Sequence, residues 1–224
     1  MCFSATASFT ASALLAGIGI LAWRATRSPH ERLFAAIPLL FAAQQFTEGL
    51  VWMSYPWDAP VLRAWATQVY SVFSHLLWPV LVPWAVRAVE PVRWRRWALA
   101  VLGLGGFLSA LFLLATMVAT PITVTPTGDH LEYRSPHFFL PVSLTLYLAS
   151  TTLGLTLSSR PAIRGFGVLA IASAAVAYAV YARWFISVWC FFAALMSVMV
   201  YVALAKRPLR SMTTRSAVPE GDLP

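Results

Sequence analysis

Long apolar stretches alternate with short polar segments along the chain. The hydrocarbon core of a bilayer is about 30 Å thick, and an α-helix needs roughly 20 apolar residues to cross it. Seven stretches fit this requirement, and only residues 182–184 separate the last two. The pattern predicts seven membrane-spanning helices, at residues 4–23, 33–54, 64–86, 97–119, 138–158, 165–182 and 185–205.

The composition supports this interpretation. Of the 224 residues, 59% are hydrophobic and only 11% are charged, and the mean hydropathy is +0.72. Soluble globular domains are about one quarter charged, so this chain has too few charges to cover a water-exposed surface. We expect an all-α, polytopic transmembrane domain over residues 1–210. Residues 211–224 are polar and are predicted to form a disordered tail.

The basic residues predict the orientation of the helices. The net charge is +8, but thirteen of the sixteen basic residues lie in the first, third and fifth connections and the tail. Cytoplasmic loops are enriched in Lys and Arg, so this bias predicts an outside N-terminus, a cytoplasmic C-terminus and no role in nucleic-acid binding. The first charge, Arg24, follows the first apolar stretch, so we expect that stretch to be retained and not to act as a signal peptide. The opposite side holds Arg63, Arg134 and Arg183.

The longest connection, residues 120–137, contains several turn-forming residues. Within it, the alternating residues 122–125 predict a short β-strand on the outer side.

Two ionisable side chains fall inside the predicted spans. They are Glu48 in the second span and His75 in the third. Because charged groups in a membrane are costly unless paired or hydrated, they are candidates for function. Helical spacing places Gln44 and Gln45 on the same face as Glu48, and Gln68 and Ser71 on the same face as His75.

The depths of these residues predict how the two faces meet. A short connection makes the second and third spans antiparallel neighbours, and the helical rise places Glu48 level with Gln68 and Gln44 level with His75. We therefore expect a polar seam, open to the outside, that binds or transports a small ligand or cation. Arg183 is a candidate cationic partner for Glu48. The alternative is that these residues hold the helices together in a structural or assembly protein.

A second alternative is a membrane-embedded enzyme that uses a metal ion or haem, although the sequence itself requires no cofactor. Its candidate ligands are His75, Glu48 and Cys2, with His130 or His137 as a further donor. A zinc site needs about three such ligands, and only two lie within the spans, so we lean against an enzyme. A disulfide between Cys2 and Cys190 remains open.

Proline and glycine predict irregular or closely packed positions. Pro79 removes the helical hydrogen bond to the carbonyl of His75, so we expect the third span to be irregular there. Gly103, Gly105 and Gly106 predict a close helix contact along the fourth span.

Three stretches carry a resemblance to a known family. They are MCFSATASF at the N-terminus, PLLFAAQQFTEGLVW in the second span and HLLWPVLVPW in the third. They resemble a family of uncharacterised bacterial integral membrane proteins that begin with Met-Cys-Phe-Ser and carry a Gln-Gln-x-x-Glu-Gly stretch. The resemblance implies a multi-pass protein of the bacterial plasma membrane, with its informative residues in the first three spans.

Overall fold

The computed structural model describes residues 4–205, and most of them are helical. Two π-helical segments, Val72–Leu77 and Ala149–Leu153, join α4 to α5 and α7 to α8. The α-helices are α1 (Ala5–Arg24), α2 (Pro29–Ala35), α3 (Ile37–Met53), α4 (Pro60–Ser71), α5 (Trp78–Val89), α6 (Arg93–Ala119), α7 (Pro141–Leu148), α8 (Gly154–Thr156), α9 (Pro161–Tyr181), α10 (Phe185–Met196) and α11 (Val198–Ala205).

Five helical stretches are long and apolar enough to cross a membrane. The predicted fifth span corresponds to the shorter α7–α8 stretch, which is not among the five, and the predicted sixth and seventh spans fall within a single apolar stretch. The count of seven therefore stays a prediction, and the predicted tail and Cys2 lie outside the described residues. The five stretches are Ala5–Arg24, Pro29–Met53, Pro60–Val89, Arg93–Ala119 and Pro161–Ala205.

The last of these stretches reverses direction at a 3-10 turn, Ala182–Trp184. The indole N–H of Trp189 donates to the carbonyl oxygen of Ala170 at 3.3 Å. In a straight helix these residues would lie about 28 Å apart along the axis. Therefore α10 runs back along α9.

The long connection forms a β-hairpin of β1 (Thr123–Thr127) and β2 (His130–Arg134). This confirms the predicted strand and adds its partner. Gly128 has a φ of 59° in the two-residue turn, where a side chain would be strained. The hairpin lies on the helices: the Tyr55 hydroxyl donates to the Val124 carbonyl at 2.8 Å, and Tyr133 stacks on Tyr70 with 4.5 Å between ring centroids.

The hairpin also contacts the turn between α9 and α10. His130 stacks on Trp184 with ring centroids 4.6 Å apart. The resulting desolvation lowers the pKa of His130, because a partly buried imidazole loses hydration of its charged form. The hairpin thus covers one end of the helices and joins their connections.

The connections at the opposite end are joined by buried polar contacts. Glu90, at the end of α5, accepts hydrogen bonds from the backbone N–H groups of Val92 (3.1 Å) and Ser159 (2.7 Å) and from the Ser158 hydroxyl (3.2 Å). Arg95 donates to the Leu157 carbonyl at 2.9 Å. This end also carries the arginines of the first, third and fifth connections, and the hairpin end carries Arg63, Arg134 and Arg183.

The glycines of α6 allow a close approach to α5. A Cβ atom at Gly106 would overlap the carbonyl oxygen of Pro79, and one at Gly103 would lie 2.9 Å from the Trp84 indole nitrogen. The close contact expected along the fourth span is therefore present at Gly103 and Gly106, but not at Gly105. On α5, this contact begins at Pro79, which lies two residues after the π-helical segment that contains His75.

Candidate functional site

The predicted site residues lie in the interior of the protein. Gln44, Gln45 and Glu48 project from α3, and all three are fully buried, with a relative exposure of 0%. Ser71 and His75 are equally buried at the end of α4 and in the following π-helix, whereas Gln68 is half-buried. Since all but Gln68 are enclosed, they do not form the seam open to the outside that the sequence predicts.

Glu48 forms its closest contact with α10, and not with the third span. The Ser187 hydroxyl donates to Oε1 of Glu48 at 2.6 Å. Gln45 and Tyr70 also interact with this carboxyl group. The second oxygen, Oε2, is buried and accepts no hydrogen bond of good geometry. One carboxylate oxygen is thus held in place while the other keeps acceptor capacity.

Gln44 connects this carboxyl group to two further side chains. The Trp78 indole donates to Oε1 of Gln44 at 2.7 Å, and the Trp78 ring stacks on Phe41 with centroids 3.8 Å apart. The Gln44 amide and the Tyr70 hydroxyl also lie near the thiol of Cys190, which is buried and unpaired within the described residues. The six buried polar residues from α3, α4 and α10 are called the Glu48 cluster: Gln44, Gln45, Glu48, Tyr70, Ser187 and Cys190.

His75 belongs to a second group of polar contacts. Its Nδ1 lies 2.8 Å from the Ser74 hydroxyl, and its Nε2 lies 3.0 Å from the hydroxyl of Ser135, next to the β-hairpin. The edge of Phe138 covers the ring at a centroid distance of 4.9 Å, and Tyr147 donates to the Ser74 carbonyl. Both ring nitrogens are engaged, one as donor and one as acceptor, so His75 joins the third span to the outer connection.

The depth-matched pairs expected from the sequence do not form. Gln68 donates to the carbonyl oxygen of Ile122 at 2.8 Å and therefore holds the start of the hairpin, not Glu48. Gln44 is bonded to Trp78, while His75 is bonded to two serines. Ser71 bonds within its own helix, to the Thr67 carbonyl at 2.7 Å. Although α3 and α4 are neighbours, their polar residues are directed to different partners.

Sequence reasoning missed the contribution of α10. Ser187 and Cys190 lie three residues apart, so they share one face of this helix. They stand out as small polar or polarisable residues in the run FISVWCFFAALM. That contrast is a signal that points to a buried contact, but it does not indicate which helix lies opposite.

Arg183, considered as a partner for Glu48, lies elsewhere. Its Nε donates to Oε2 of Glu132 at 2.8 Å, and Arg134 approaches the same carboxylate at 3.7 Å. Among residues 4–205, the ion pairs all involve Glu132. Glu48 therefore has no salt bridge to a described basic side chain.

Replacing Arg183 by glutamine is expected to have a small effect. Its side chain is 58% exposed, and exposed ion pairs contribute less than about 1 kcal/mol to the free energy of unfolding. The thermal unfolding midpoint of the detergent-purified protein is the measurement. A loss of several kcal/mol would instead place Arg183 in an essential buried interaction.

Within the described part of the chain, no three His, Cys, Asp or Glu side chains are grouped so that they could hold a metal ion. Oxygen atoms dominate the Glu48 cluster, and both nitrogens of His75 are occupied by serine hydroxyls. The donor set near Glu48 therefore resembles the oxygen ligands of hard cations more than the nitrogen and sulfur ligands of zinc or haem iron.

Five helical stretches that are long and apolar enough to cross a membrane, together with a buried polar cluster, are the features of a helical membrane protein. A family model described as "Family of unknown function (DUF6629)" matches residues 1–215, so the chain belongs to this family. No curated protein and no solved structure matches the chain.

Proposed function

We propose that the chain is an integral protein of a bacterial plasma membrane that crosses the bilayer seven times, with its N-terminus outside. The reversal between α9 and α10 supports two crossings within the last apolar stretch. The segment Pro141–Thr156 would span about 24 Å as a helix, enough for a crossing with local thinning of the bilayer. The arginine-rich end faces the cytoplasm under the positive-inside rule, which leaves the β-hairpin outside.

Within this protein, the Glu48 cluster is the site of a small monovalent cation. The observation that carries this proposal is a fully buried carboxylate that no described basic side chain pairs with. A buried charge costs several kcal/mol unless it is neutralised and hydrogen-bonded. A single bound cation of charge +1 balances a single carboxylate and removes this cost.

The oxygen atoms around Glu48 suit a hard cation such as Na⁺. Oε2 of Glu48 has free acceptor capacity, and the amide oxygen of Gln45 is buried beside it without a hydrogen bond of good geometry. The Ser187 hydroxyl supplies a further oxygen at 2.6 Å from Oε1. Carboxylate, carbonyl and hydroxyl oxygens are the ligands that hard cations prefer.

Access to this site runs from the hairpin side. The Tyr70 side chain interacts with Glu48, and its ring also stacks on the ring of Tyr133 in β2. Exchange of a cation therefore requires movement of the hairpin or of the outer end of α4. A site that opens only when these elements move suits transport of the cation as well as binding, and we therefore propose transport.

The test is the Glu48→Gln substitution, which keeps the size of the side chain and removes its charge. In detergent, we expect Na⁺ to raise the thermal unfolding midpoint of the wild-type protein relative to choline at equal ionic strength. At a concentration 100 times the Kd, this stabilisation reaches about 2.7 kcal/mol. The variant is expected to show no difference between Na⁺ and choline.

The matched control is Glu31→Gln. Glu31 is another buried carboxylate, but its Oε2 accepts a hydrogen bond from the Arg27 backbone N–H at 2.7 Å and lies outside the cluster. This variant should keep the wild-type response to Na⁺. Equal responses of the wild-type and Glu48→Gln proteins would overturn cation binding. A Na⁺ response without Na⁺ uptake into proteoliposomes would restrict the function to binding.

A further inference from the structure

A basic cleft lies between the end of α5 and the beginning of α6, far from the Glu48 cluster. It has a volume of about 330 Å³ and contains three arginines beside an aromatic ring. Its lining residues are Arg87, Pro91, Arg93, Arg96, Trp97 and Ala100. It therefore concentrates positive charge at the arginine-rich end of the helices.

No ion pair joins the arginines of this cleft to a described carboxylate, and the pairs between residues 4–205 all involve Glu132 at the opposite end. Glu90, the nearest acidic residue in the chain, already accepts three hydrogen bonds. Arg87 stacks 5.2 Å from the centroid of Trp84, and its Nε is buried without an acceptor. The cleft thus offers guanidinium donors that an anion would satisfy.

Arg95 shows the contrasting case in the same segment. It donates to the Leu157 carbonyl and stacks 5.1 Å from the centroid of Trp94, so its role is internal to the fold. Within the described residues, none of the three cleft arginines donates a hydrogen bond to a backbone carbonyl as Arg95 does, although Arg87 stacks on Trp84. Guanidinium groups bind phosphate oxygens in a bidentate manner, so a phosphate group suits this cleft.

An apolar surface on α6 continues from the cleft along the helix. Trp97, Val101, Leu104 and Leu108 are all more than half exposed, and their spacing of four, three and four residues places them on one face. A ligand with a phosphate group at one end and hydrocarbon chains at the other would cover both surfaces. This combination favours a lipid over a free phosphate ion.

We propose that the cleft binds the phosphate of an anionic phospholipid, with an acyl chain along the exposed face of α6. Arg87, Arg93 and Arg96 contact the phosphate, and Trp97 marks the boundary between headgroup and chain. The site does not depend on cation binding at Glu48. It also predicts a preference for an anionic lipid, because the three guanidinium groups repel the cationic group of a zwitterionic headgroup.

The experiment compares three probes on the full chain in detergent: dioctanoyl phosphatidylglycerol, dioctanoyl phosphatidylcholine and sodium phosphate at equal ionic strength. Native mass spectrometry counts the bound lipid molecules. The rise of the thermal unfolding midpoint with lipid concentration gives the affinity. We expect phosphatidylglycerol to bind in preference to phosphatidylcholine. Substituting all three cleft arginines by glutamine should weaken its binding about 100-fold, at roughly 1 kcal/mol for each arginine.

The matched control removes the same charge from the same end of the protein through Arg24→Gln, Arg27→Gln and Arg164→Gln, all at exposed positions outside the cleft. The affinity of this control variant for phosphatidylglycerol should lie within about twofold of the wild-type value, because distant exposed charges are screened and act only weakly. If the triple cleft variant fails to fold, the double variant Arg93→Gln, Arg96→Gln, at exposed positions, should weaken binding more than tenfold.

Three results would overturn the proposal. Equal loss in the control and cleft variants would mean non-specific attraction to the whole basic end. Equal binding of phosphatidylcholine and phosphatidylglycerol would remove the anionic preference. Full stabilisation by inorganic phosphate alone, without retained lipid, would make the cleft a free-phosphate site.

Discussion

Replacing Gly106 by alanine is expected to destabilise the protein by about 3 kcal/mol or more. The added Cβ atom would overlap the carbonyl oxygen of Pro79 and lie 2.9 Å from the Ser150 hydroxyl oxygen. A backbone carbonyl has no rotamer through which to move away, so α5 and α6 must separate. The separation would also disturb the π-helical segment Val72–Leu77 that precedes Pro79 and holds His75. The measurement is the thermal unfolding midpoint in detergent.

Gly105→Ala provides the control at the adjacent position. A Cβ atom there would meet only the Leu146 side chain, at an ordinary distance of 3.6 Å. Because alanine has a higher helix propensity than glycine, this variant should match or exceed the stability of the wild-type protein by up to about 1 kcal/mol. Equal midpoints for the two alanine variants would contradict the close contact at Gly106.

Glu90→Ala is expected to cost about 3–5 kcal/mol of unfolding free energy. Glu90 is buried, with 2% relative exposure, and its carboxylate accepts three hydrogen bonds, two of them from backbone N–H groups. Hydrogen bonds to a charged acceptor contribute about 1.5–3 kcal/mol each, and the freed donors lose their partner in a protected position. The loss should loosen the connections before α6 and α9 together. Unfolding midpoints and proteolysis at residues 157–160 provide the measurement.

Two variants separate this role from the general loss of a carboxylate. Glu90→Gln keeps one acceptor oxygen and should fall between the alanine variant and the wild-type protein. Glu132→Ala removes the carboxylate of the exposed Arg183 pair at the other end and should cost less than about 1 kcal/mol beyond the loss of local contacts. A Glu90→Ala protein as stable as Glu132→Ala would show that water replaces the lost acceptor.

The membrane character could be predicted from the sequence because apolar length is itself the physical requirement for crossing a bilayer. The five candidate spans start and end within a few residues of predicted polar boundaries, except in the second half of the chain. There, the break at residues 182–184 is too short to distinguish a kink from a reversal. The Trp189–Ala170 hydrogen bond decides for a reversal, and it joins residues 19 positions apart.

The partners of Glu48 could not be predicted in the same way. In a soluble helix, the apolar stripe shows which side faces the core, but a membrane helix is apolar on all sides, so its rotation is left open. From the sequence, only the depth of each residue in the membrane and the order of the spans are available, and they predict that Glu48 meets Gln68. The rotation of α3 instead directs Glu48 towards Ser187, 139 residues later in the chain.

The helical class, the apolar stretches and the segregation of arginine could all be predicted from the sequence. So could some of the buried polar side chains, such as Gln44, Glu48 and His75, but not Ser187. These properties depend on the free energy of transferring each segment from water to hydrocarbon, and that free energy is determined by the local composition of the segment. Which polar groups meet depends instead on how helices distant in the chain pack against one another. The fold separates the expected seam into the Glu48 cluster with α10 and the His75 contacts with Ser135. Most buried polar groups need a partner, and the packing of distant helices determines which partner is within reach.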